Sequence, residues 1–339
     1  MLIRLLTCST AAFLIFAWPA QATVIAALDV SELIGTSDAV VIGDVASVQQ
    51  IGSGTMTIGD QVIAVAQFNV ELMVRRVVKG SVNGRQITFG FVWPNQPLAY
   101  QRIAKGDSGM FFLRGTSENY SVSDPHYVYL LGTSLCAYPE SVMNTLDRVA
   151  TELRCIVDDP GATEAAQLEA IDALKSLRTE LATETLRLAA SNTQGRVRLH
   201  AVAALLRRDD TSQLESVEDT LLQPATESVR GSVDDLAESI FLGVRNPKVI
   251  PILQRLLRAP DSRVRRGAAQ ALRNTGSTRA IQGLVEALED SQRDIRYIGV
   301  IGLGEITHQD EWSPAIDNFT QHEASFLSYW RKWAIENTH

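Results

Sequence analysis

The chain has 339 residues, of which 45% are hydrophobic and 21% are charged, a composition typical of folded domains rather than of disordered segments. Its length exceeds that of one typical domain, so two domains are expected. The net charge of -8 argues against a nucleic-acid-binding function, because phosphate binding needs a basic surface.

Residues 1–22 have the three parts of an export signal. Arg4 precedes an apolar run at 11–18, and the small-residue sequence A-Q-A at 20–22 is typical of a cleavage site. The alternative is an uncleaved membrane anchor, although the run is shorter than the roughly 20 residues that a spanning helix needs. We therefore expect cleavage after Ala22 and a periplasmic or secreted protein without stable membrane insertion.

Strand patterns occupy most of residues 23–139, after a short helix predicted within 23–36. Runs rich in β-branched and aromatic residues predict five strands, at 39–48, 62–78, 86–93, 110–113 and 127–131. The glycines in 49–60 predict a loop, and Asn83-Gly84 predicts a hairpin turn. Five strands with a bulged first strand fit a small closed or partly open barrel.

Three motifs in this half carry a resemblance to a known kind of barrel. They are S-D-A-V-V-I-G-D-V at 37–45, V-x-x-V-V-K-G at 74–80 and G-D-S-G-M-F-F-L at 106–113. Together they resemble oligonucleotide/oligosaccharide-binding-like (OB-like) barrels of exported bacterial proteins. The resemblance implies an OB-like barrel domain over 23–139, whose apolar strand residues are interpreted as core.

Residues 140–339 are organised around one repeated spacing. Apolar or small residues at offsets 0, 4, 7 and 8 return at intervals of 31 to 35 residues. The six groups are Ala166, Ala170, Ala173 and Leu174; Val197, Ala201, Ala204 and Leu205; Val229, Val233, Leu236 and Ala237; Val264, Ala268, Ala271 and Leu272; Ile295, Gly299, Gly302 and Leu303; and Phe326, Trp330, Trp333 and Ala334. A period of this length indicates an α-solenoid, here of about six helix pairs.

The motif D-x-x-V-R-x-x-A-x-x-A-L at 261–272 resembles the HEAT repeat, in the short form of phycobilisome-lyase-like proteins. This resemblance implies an armadillo-like solenoid that acts as a protein-protein interaction scaffold. Two alternatives stay open: an enzyme or accessory factor related to the lyase-like proteins, and a structural module of a cell-surface assembly. The sequence contains no nucleophile elbow, phosphate loop or zinc-protease motif, so we expect a non-enzymatic protein without a cofactor.

An arginine follows the first apolar position in four of the six repeats, namely Arg198, Arg230, Arg265 and Arg296. In the family that the repeat resembles, this arginine ties neighbouring repeats together through an acidic partner. We therefore expect these side chains to be structural.

Other polar positions predict a protein-binding groove on the concave face of the solenoid. Arg266 and Arg273 lie away from the apolar stripe of their helix, with Gln270 between them, and Tyr297 and Ile301 occupy nearby positions in the next repeat. Such a surface offers arginines for acidic groups and large side chains for apolar ones, which suits an extended or helical protein segment. The alternatives are a solvated charged face and packing between repeats.

Two cysteines remain after removal of the signal, Cys136 and Cys155. In an oxidising compartment they are predicted to form a disulfide at the joint of the two domains; two buried free thiols are the alternative. The nearest approach to a metal-binding spacing is Glu305, His308 and Glu311. We interpret these three as exposed charges near the end of a helix and expect no metal site.

Aromatic residues crowd the last repeat. They are Trp312, Phe319, Phe326, Tyr329, Trp330 and Trp333. Large rings at helical spacing favour a terminal cap that covers the end of the apolar stack, and an aromatic ligand cage is the alternative.

Overall fold

The computed structural model describes residues 29–58, 61–95, 102–116, 119–124, 129–131, 137, 143–191 and 195–337. The predicted signal at 1–22, the predicted domain boundary at 139/140 and Cys136 lie outside these residues, so those expectations stay predictions. Cys155 lies in a described helix.

Strands occupy the first half of the described chain and helices the second. The strands are β1 (Ala39–Ile58), β2 (Gln61–Lys79), β3 (Gln86–Pro94), β4 (Ser108–Thr116), β5 (Asn119–Val122) and β6 (Tyr129–Leu131). The helices are α1 (Val30–Thr36), α2 (Thr145–Asp158), α3 (Glu164–Ser176), α4 (Glu180–Ala190), α5 (Gly195–Leu206), α6 (Glu218–Leu221), α7 (Arg230–Gly243), α8 (Ile250–Leu256), α9 (Ser262–Asn274), α10 (Ile281–Ala287), α11 (Arg293–Thr307) and α12 (Ile316–Asn337).

The sheet closes on itself as a small barrel. Its order is β1-β2-β3-β5-β4, and β4 pairs back onto β1, with β6 added to β4. The pairings are antiparallel except for β3 with β5, which is parallel. Buried side chains such as Leu72, Phe89 and Phe111 fill the interior. The N-terminal half is thus a β-sheet domain of the barrel type that the sequence predicts.

Two details of the strands differ from the prediction. Residues 49–58 were expected to be a loop, but β1 continues through them to Ile58 in register with β2. Glycines lower strand propensity, yet here Gly52 and Gly54 pair with Gln67 and Val65, so the hairpin ladder overrides propensity. The short strand β5 was also not predicted, because its four residues carry too little apolar alternation.

The helices form antiparallel pairs in two layers. The first helices of successive pairs are α2, α4, α6, α8 and α10, and a short 3-10 turn at Asp310–Trp312 takes this place in the last pair. The second helices α3, α5, α7, α9, α11 and α12 pack on one another in that order. This arrangement confirms a HEAT-like helical solenoid, whose repeats bury a continuous core that no single repeat could form.

Helix α9 shows why the repeated spacing gives this packing. Asp261 caps its N-terminus by accepting a hydrogen bond from the backbone N–H of Arg263 at 2.8 Å. Val264, Ala268 and Leu272 are fully buried, because residues three or four positions apart share one face of a helix. The apolar offsets therefore mark the inner face.

The arginine that follows the first apolar position ties adjacent repeats together at Arg265 and Arg296, whereas Arg230 lies 3.8 Å from Glu227 of its own repeat. Arg265 forms a bidentate pair with Asp290 at 2.7 and 3.2 Å, and Arg296 pairs with Glu323. Arg265 and Asp290 have side chains only 15% and 8% exposed, so this pair lies in the packed interface. The structural interpretation of these arginines holds for both.

The barrel and the solenoid share one apolar cluster. Val40, Ile42 and Phe112 of the barrel belong to the same buried core as Val149 and Leu153 of α2. A buried ion pair crosses the same joint.

The pair joins Arg76 of β2 to Glu152 of α2, whose side chain is 2% exposed. The other carboxylate oxygen of Glu152, Oε2, is buried without a hydrogen-bond partner. The stability of the joint therefore depends on the Arg76 guanidinium, because an unpaired buried charge is costly.

The aromatic residues of the last pair pack against one another. Trp330 is fully buried and donates a hydrogen bond from Nε1 to the Trp312 carbonyl oxygen at 3.0 Å. The Trp312 ring stacks on Tyr329 at 3.6 Å between centroids, with an interplanar angle of 1°. This packing agrees with a terminal cap. No helix in the described residues is long and apolar enough to cross a membrane.

Candidate functional site

The predicted binding residues of α9 lie along the layer of second helices. Arg266, Gln270 and Arg273 are three or four positions apart and therefore share one side of the helix. The partners described here come from α7, α9 and α11 rather than from the first helices. This places them on the surface that the second helices form.

Arg266 is the most accessible of the three, with a side chain 52% exposed. Its guanidinium carbon lies 5.1 Å from the centre of the Phe241 ring on α7, a cation–π distance. On the other side its Nε lies 3.2 Å from the carboxylate of Asp294 on α11, which is 53% exposed. Arg266 thus bridges three successive second helices through contacts that remain open to water.

Arg273 is held more firmly. Its guanidinium makes a bidentate pair with Glu305 of α11, with Nε to Oε2 at 2.6 Å. The hydrogen bond to Glu305 raises the pKa of Arg273 further above its ordinary value. Gln270 donates to Asn274 Oδ1 at 2.7 Å, and Asn274 in turn donates to the Phe241 carbonyl. These contacts fit packing between repeats.

The two predicted residues of α11 are less accessible to a partner. Ile301 is 7% exposed and belongs to the core, and Tyr297 is half-buried. The Tyr297 hydroxyl donates to the Pro314 carbonyl at 3.2 Å, and its ring packs against Phe319 at 5.2 Å between centroids. Tyr297 therefore contributes mainly to the contact between the last two pairs, and Ile301 is not accessible to a partner.

A concave site lies beside Arg266, between α7 and α9. This central groove has a cavity of about 530 Å³ and is lined by Asp234, Asp235, Ala237, Glu238, Phe241, Leu242, Arg263 and Arg266. Leu242 is 46% exposed and Phe241 is half-buried. An exposed leucine beside an aromatic ring gives the groove an apolar floor, of the kind that anchors a partner side chain.

Charged side chains border this floor, and most of them are already paired. Arg263 lies 2.5 Å from Asp234, and Asp235 accepts a hydrogen bond from Arg207 of α5 at 3.0 Å. Glu238 has only a long contact of 3.9 Å to Arg207 and is 64% exposed. Glu238 is therefore the acid at the rim that a basic group of a partner reaches most directly.

The α7 side of the groove is not among the binding residues predicted from the sequence. Phe241 and Leu242 are adjacent apolar residues, so one of them must point away from the core face of α7. This was the available signal. The repeated spacing ends at Ala237, one turn before Phe241, and therefore does not indicate this residue.

Two of the three residues with the nearest approach to a metal-binding spacing have other roles. Glu305 binds Arg273, and His308 ends α11 in the left-handed conformation with φ 58°. Across the residues that the structure describes, no group of three or more histidine, cysteine or acidic side chains is arranged to hold a metal ion.

Comparisons with known proteins bear on the helical half. A family model of HEAT repeats matches residues 233–304, which include the central groove. No curated protein matches the chain. Among solved structures, the crystal structure of an engineered protein is 18% identical, with a TM-score of 0.33, and the match covers 48% of this chain and 84% of the engineered one. The C-terminal half of the chain is therefore a HEAT-like solenoid, whose central repeats match the family model.

Proposed function

We propose that this protein is an exported, non-enzymatic scaffold that binds a segment of a partner protein in the central groove. HEAT repeats suggest a protein-interaction role, and the matched repeats include both helices of the groove. The observation that carries the proposal is the exposed apolar floor of Phe241 and Leu242 inside a cavity of about 530 Å³.

The groove suits a segment that combines an apolar anchor with charged neighbours. Leu242 and Phe241 offer contact to the anchor, and Glu238 offers a carboxylate to a basic neighbour. Arg266 offers its guanidinium to an acidic neighbour, because its pair with Asp294 is half exposed. Exchanging such an exposed partner costs little, since surface ion pairs contribute about 0–1 kcal/mol.

The test uses matched pairs of surface substitutions in the chain from Thr23 to His339. Leu242→Ser removes the anchor contact, and Leu188→Ser is its control, because Leu188 on α4 is 48% exposed and lies outside the groove. Arg266→Glu reverses the groove charge, and Arg258→Glu is its control, since Arg258 also has one acidic partner, Glu286 at 2.8 Å.

Each variant is used to capture proteins, after cross-linking, from the periplasmic and secreted fractions of the source organism. We expect one protein to be retained by the wild type and both controls but lost with Leu242→Ser and Arg266→Glu. Its affinity is then measured by calorimetry, where truncation of a central anchor is expected to cost about 1–2 kcal/mol, or roughly tenfold. Equal retention by all variants would refute the groove as the binding site.

Export and the lack of enzymatic activity are tested separately. Mass spectrometry of the protein from cell fractions is expected to find an N-terminus at Thr23 in the periplasm or medium. An intact Met1 terminus in the cytoplasm would contradict export. A covalent tetrapyrrole adduct detected by absorbance would favour the lyase-related alternative, and large assemblies in light scattering would favour the structural module.

A further inference from the structure

The hairpin of β1 and β2 extends well beyond the barrel. These strands have 20 and 19 residues, whereas β3 and β4 have 9 each. Strand β4 covers β1 only over Ala39–Asp44. Residues 52–58 of β1 lie beyond the last register shift and pair regularly with residues 61–67 of β2. In the described part of the chain, β2 is the only strand that pairs with 52–55, and Ile51 lies at the register shift before them.

That outer stretch, Ile51–Thr55, has one strand edge without a strand partner among the described residues, and we call it the hairpin edge. Its Gly52 carbonyl accepts a long bond of 3.4 Å from the Gln50 side-chain amide, a poor local substitute for a strand. Open edges present rows of backbone N–H and C=O groups, and an added strand pairs with them.

Two common protections against such pairing are absent from the hairpin edge, although a register shift at Gln50/Gly52 lies at its start. Exposed edges are commonly guarded by charged side chains or proline. From Val45 to Val70 the sequence has no proline and one charged residue, Asp60, in a chain that is 21% charged. Ile51 and Val62 are 56% and 69% exposed in the same hairpin. An uncharged edge that carries the exposed apolar side chain of Ile51 is suited to a strand partner.

We propose that a second copy of this chain adds antiparallel to the hairpin edge, so that two barrels share one continuous sheet. Each copy has a net charge of -8, and the uncharged hairpin is a place where two copies meet without placing like charges opposite each other. A two-fold dimer uses the same surface twice, so one self-compatible edge is sufficient. The pairing also covers Ile51 in both copies.

The association is expected to be weak and dependent on concentration. The hairpin edge is only five residues long, so the interface is smaller than the 1,200–2,000 Å² typical of stable complexes, and a dissociation constant of the order of micromolar or weaker follows. This surface lies on the barrel, whereas the central groove lies on α7 and α9. Dimer formation and partner binding are thus separate properties.

The experiment is sedimentation velocity of the chain from Thr23 to His339 over a wide range of concentrations. We expect a monomer–dimer equilibrium. Ile51→Lys with Ser53→Lys places like charges across the two-fold axis and is expected to weaken the dimer at least about tenfold. Ile51→Glu with Ser53→Glu is expected to do the same. Mixing the two variants is expected to restore a heterodimer, which also shows that both are folded.

Two controls separate this surface from others. Met73→Lys changes a side chain that is 42% exposed on β2 within the barrel, and Leu242→Ser changes the central groove; both are expected to leave the dimer intact. A wild type that stays monomeric at all concentrations overturns the proposal. So does an unchanged dimer with lysines at 51 and 53, or failure of the mixed variants to associate. Restoration in the mixture shows that the two hairpin edges face each other in the dimer.

Discussion

The barrel and the solenoid differ in how far apart in the sequence their stabilising contacts are. The barrel closes when β1 meets β4, where Ala39 pairs with Leu113. In the solenoid the ties join adjacent repeats, such as Arg265 to Asp290, which are 25 positions apart. Closing a long loop costs more entropy than closing a short one, so the barrel depends on all its strands together. The solenoid instead accumulates stability from one neighbour to the next.

The ion pair of Arg76 and Glu152 joins the barrel, which folds as one unit, to the solenoid, which is stabilised repeat by repeat. Substitutions there are expected to have the largest effect. Arg76→Met leaves the carboxylate of Glu152 buried and unpaired, and is expected to lower the free energy of unfolding by about 3–5 kcal/mol. Urea unfolding followed by circular dichroism measures this loss.

The neighbouring pair provides the control. Arg75 and Asp44 lie 2.6 Å apart with side chains 41% and 31% exposed. Arg75→Met is expected to change stability by less than about 1 kcal/mol, because exposed pairs contribute little. Equal losses for Arg75→Met and Arg76→Met would contradict the importance of the buried pair.

The predicted disulfide would tie the same two halves covalently. If Cys136 and Cys155 are bridged, the chain from Thr23 has no reactive thiol in denaturant until a reductant is added. Reduction is then expected to lower stability by about 3 kcal/mol, since the closed loop has roughly 20 residues. Two thiols that react in denaturant without a reductant would show that the cysteines are free.

Two glycines allow the two halves to be compared directly. A Cβ added at Gly43 would lie 2.6 Å from the Met73 carbonyl oxygen across β1 and β2, and one at Gly243 would meet the Leu206 carbonyl oxygen between α7 and α5. Gly43→Ala and Gly243→Ala are each expected to cost about 1–3 kcal/mol, because the obstacle is backbone.

The two glycine variants are expected to destabilise different extents of the structure. Hydrogen exchange in Gly43→Ala should rise across the whole barrel. In Gly243→Ala it should rise mainly in α5 and α7, the helices beside the added methyl group. A rise spread evenly over all described helices in Gly243→Ala would show that the solenoid also unfolds as one unit.

The smallest expected effect concerns acid stability of the repeat contact. Burial opposes ionisation of Asp290, but the hydrogen bond from Arg265, the backbone N–H of Gln292, the positive charge of Arg265 and the Ser291 hydroxyl together outweigh it and lower the pKa of Asp290. The contribution of ionised Asp290 to the free energy of unfolding is therefore present above its unfolded pKa of about 3.9. It is lost as pH falls through the lower pKa of the folded state.

Asp290→Asn is expected to lose about 1 kcal/mol at neutral pH and nothing once the wild-type carboxylate is protonated. Chemical denaturation at pH 7 and at pH 2–4 measures this difference. An equal loss at every pH would mean that the shape of the side chain matters and its charge does not.

The sequence predicted the architecture well because both halves have strong periodic signals. The offsets of Val264, Ala268 and Leu272 are a direct consequence of burying one helix face. The end of β1 was missed because the ladder to β2, which local propensity does not encode, keeps Gly52 and Gly54 in a strand.

The candidate site was less predictable for a similar reason. Arg266 and Arg273 have the same residue type on the same face of α9, yet one is half exposed and the other is held by Glu305. Their difference depends on which acidic residues α11 presents. Phe241 belongs to the site because α7 packs beside α9, and that contact exists only in three dimensions.

The aromatic cap makes one end of the molecule optically distinct. Three of the five tryptophans, Trp312, Trp330 and Trp333, lie in the last helix pair, and Trp93 lies in the barrel. Intrinsic fluorescence therefore reports mainly on the C-terminal end, whereas circular dichroism reports on every helix. Denaturation curves from the two methods coincide only if the cap and the remaining repeats unfold together. If the export signal with Trp18 is removed, a Trp93→Phe variant has tryptophan only in the cap. Its fluorescence would then report fraying of the C-terminal end directly.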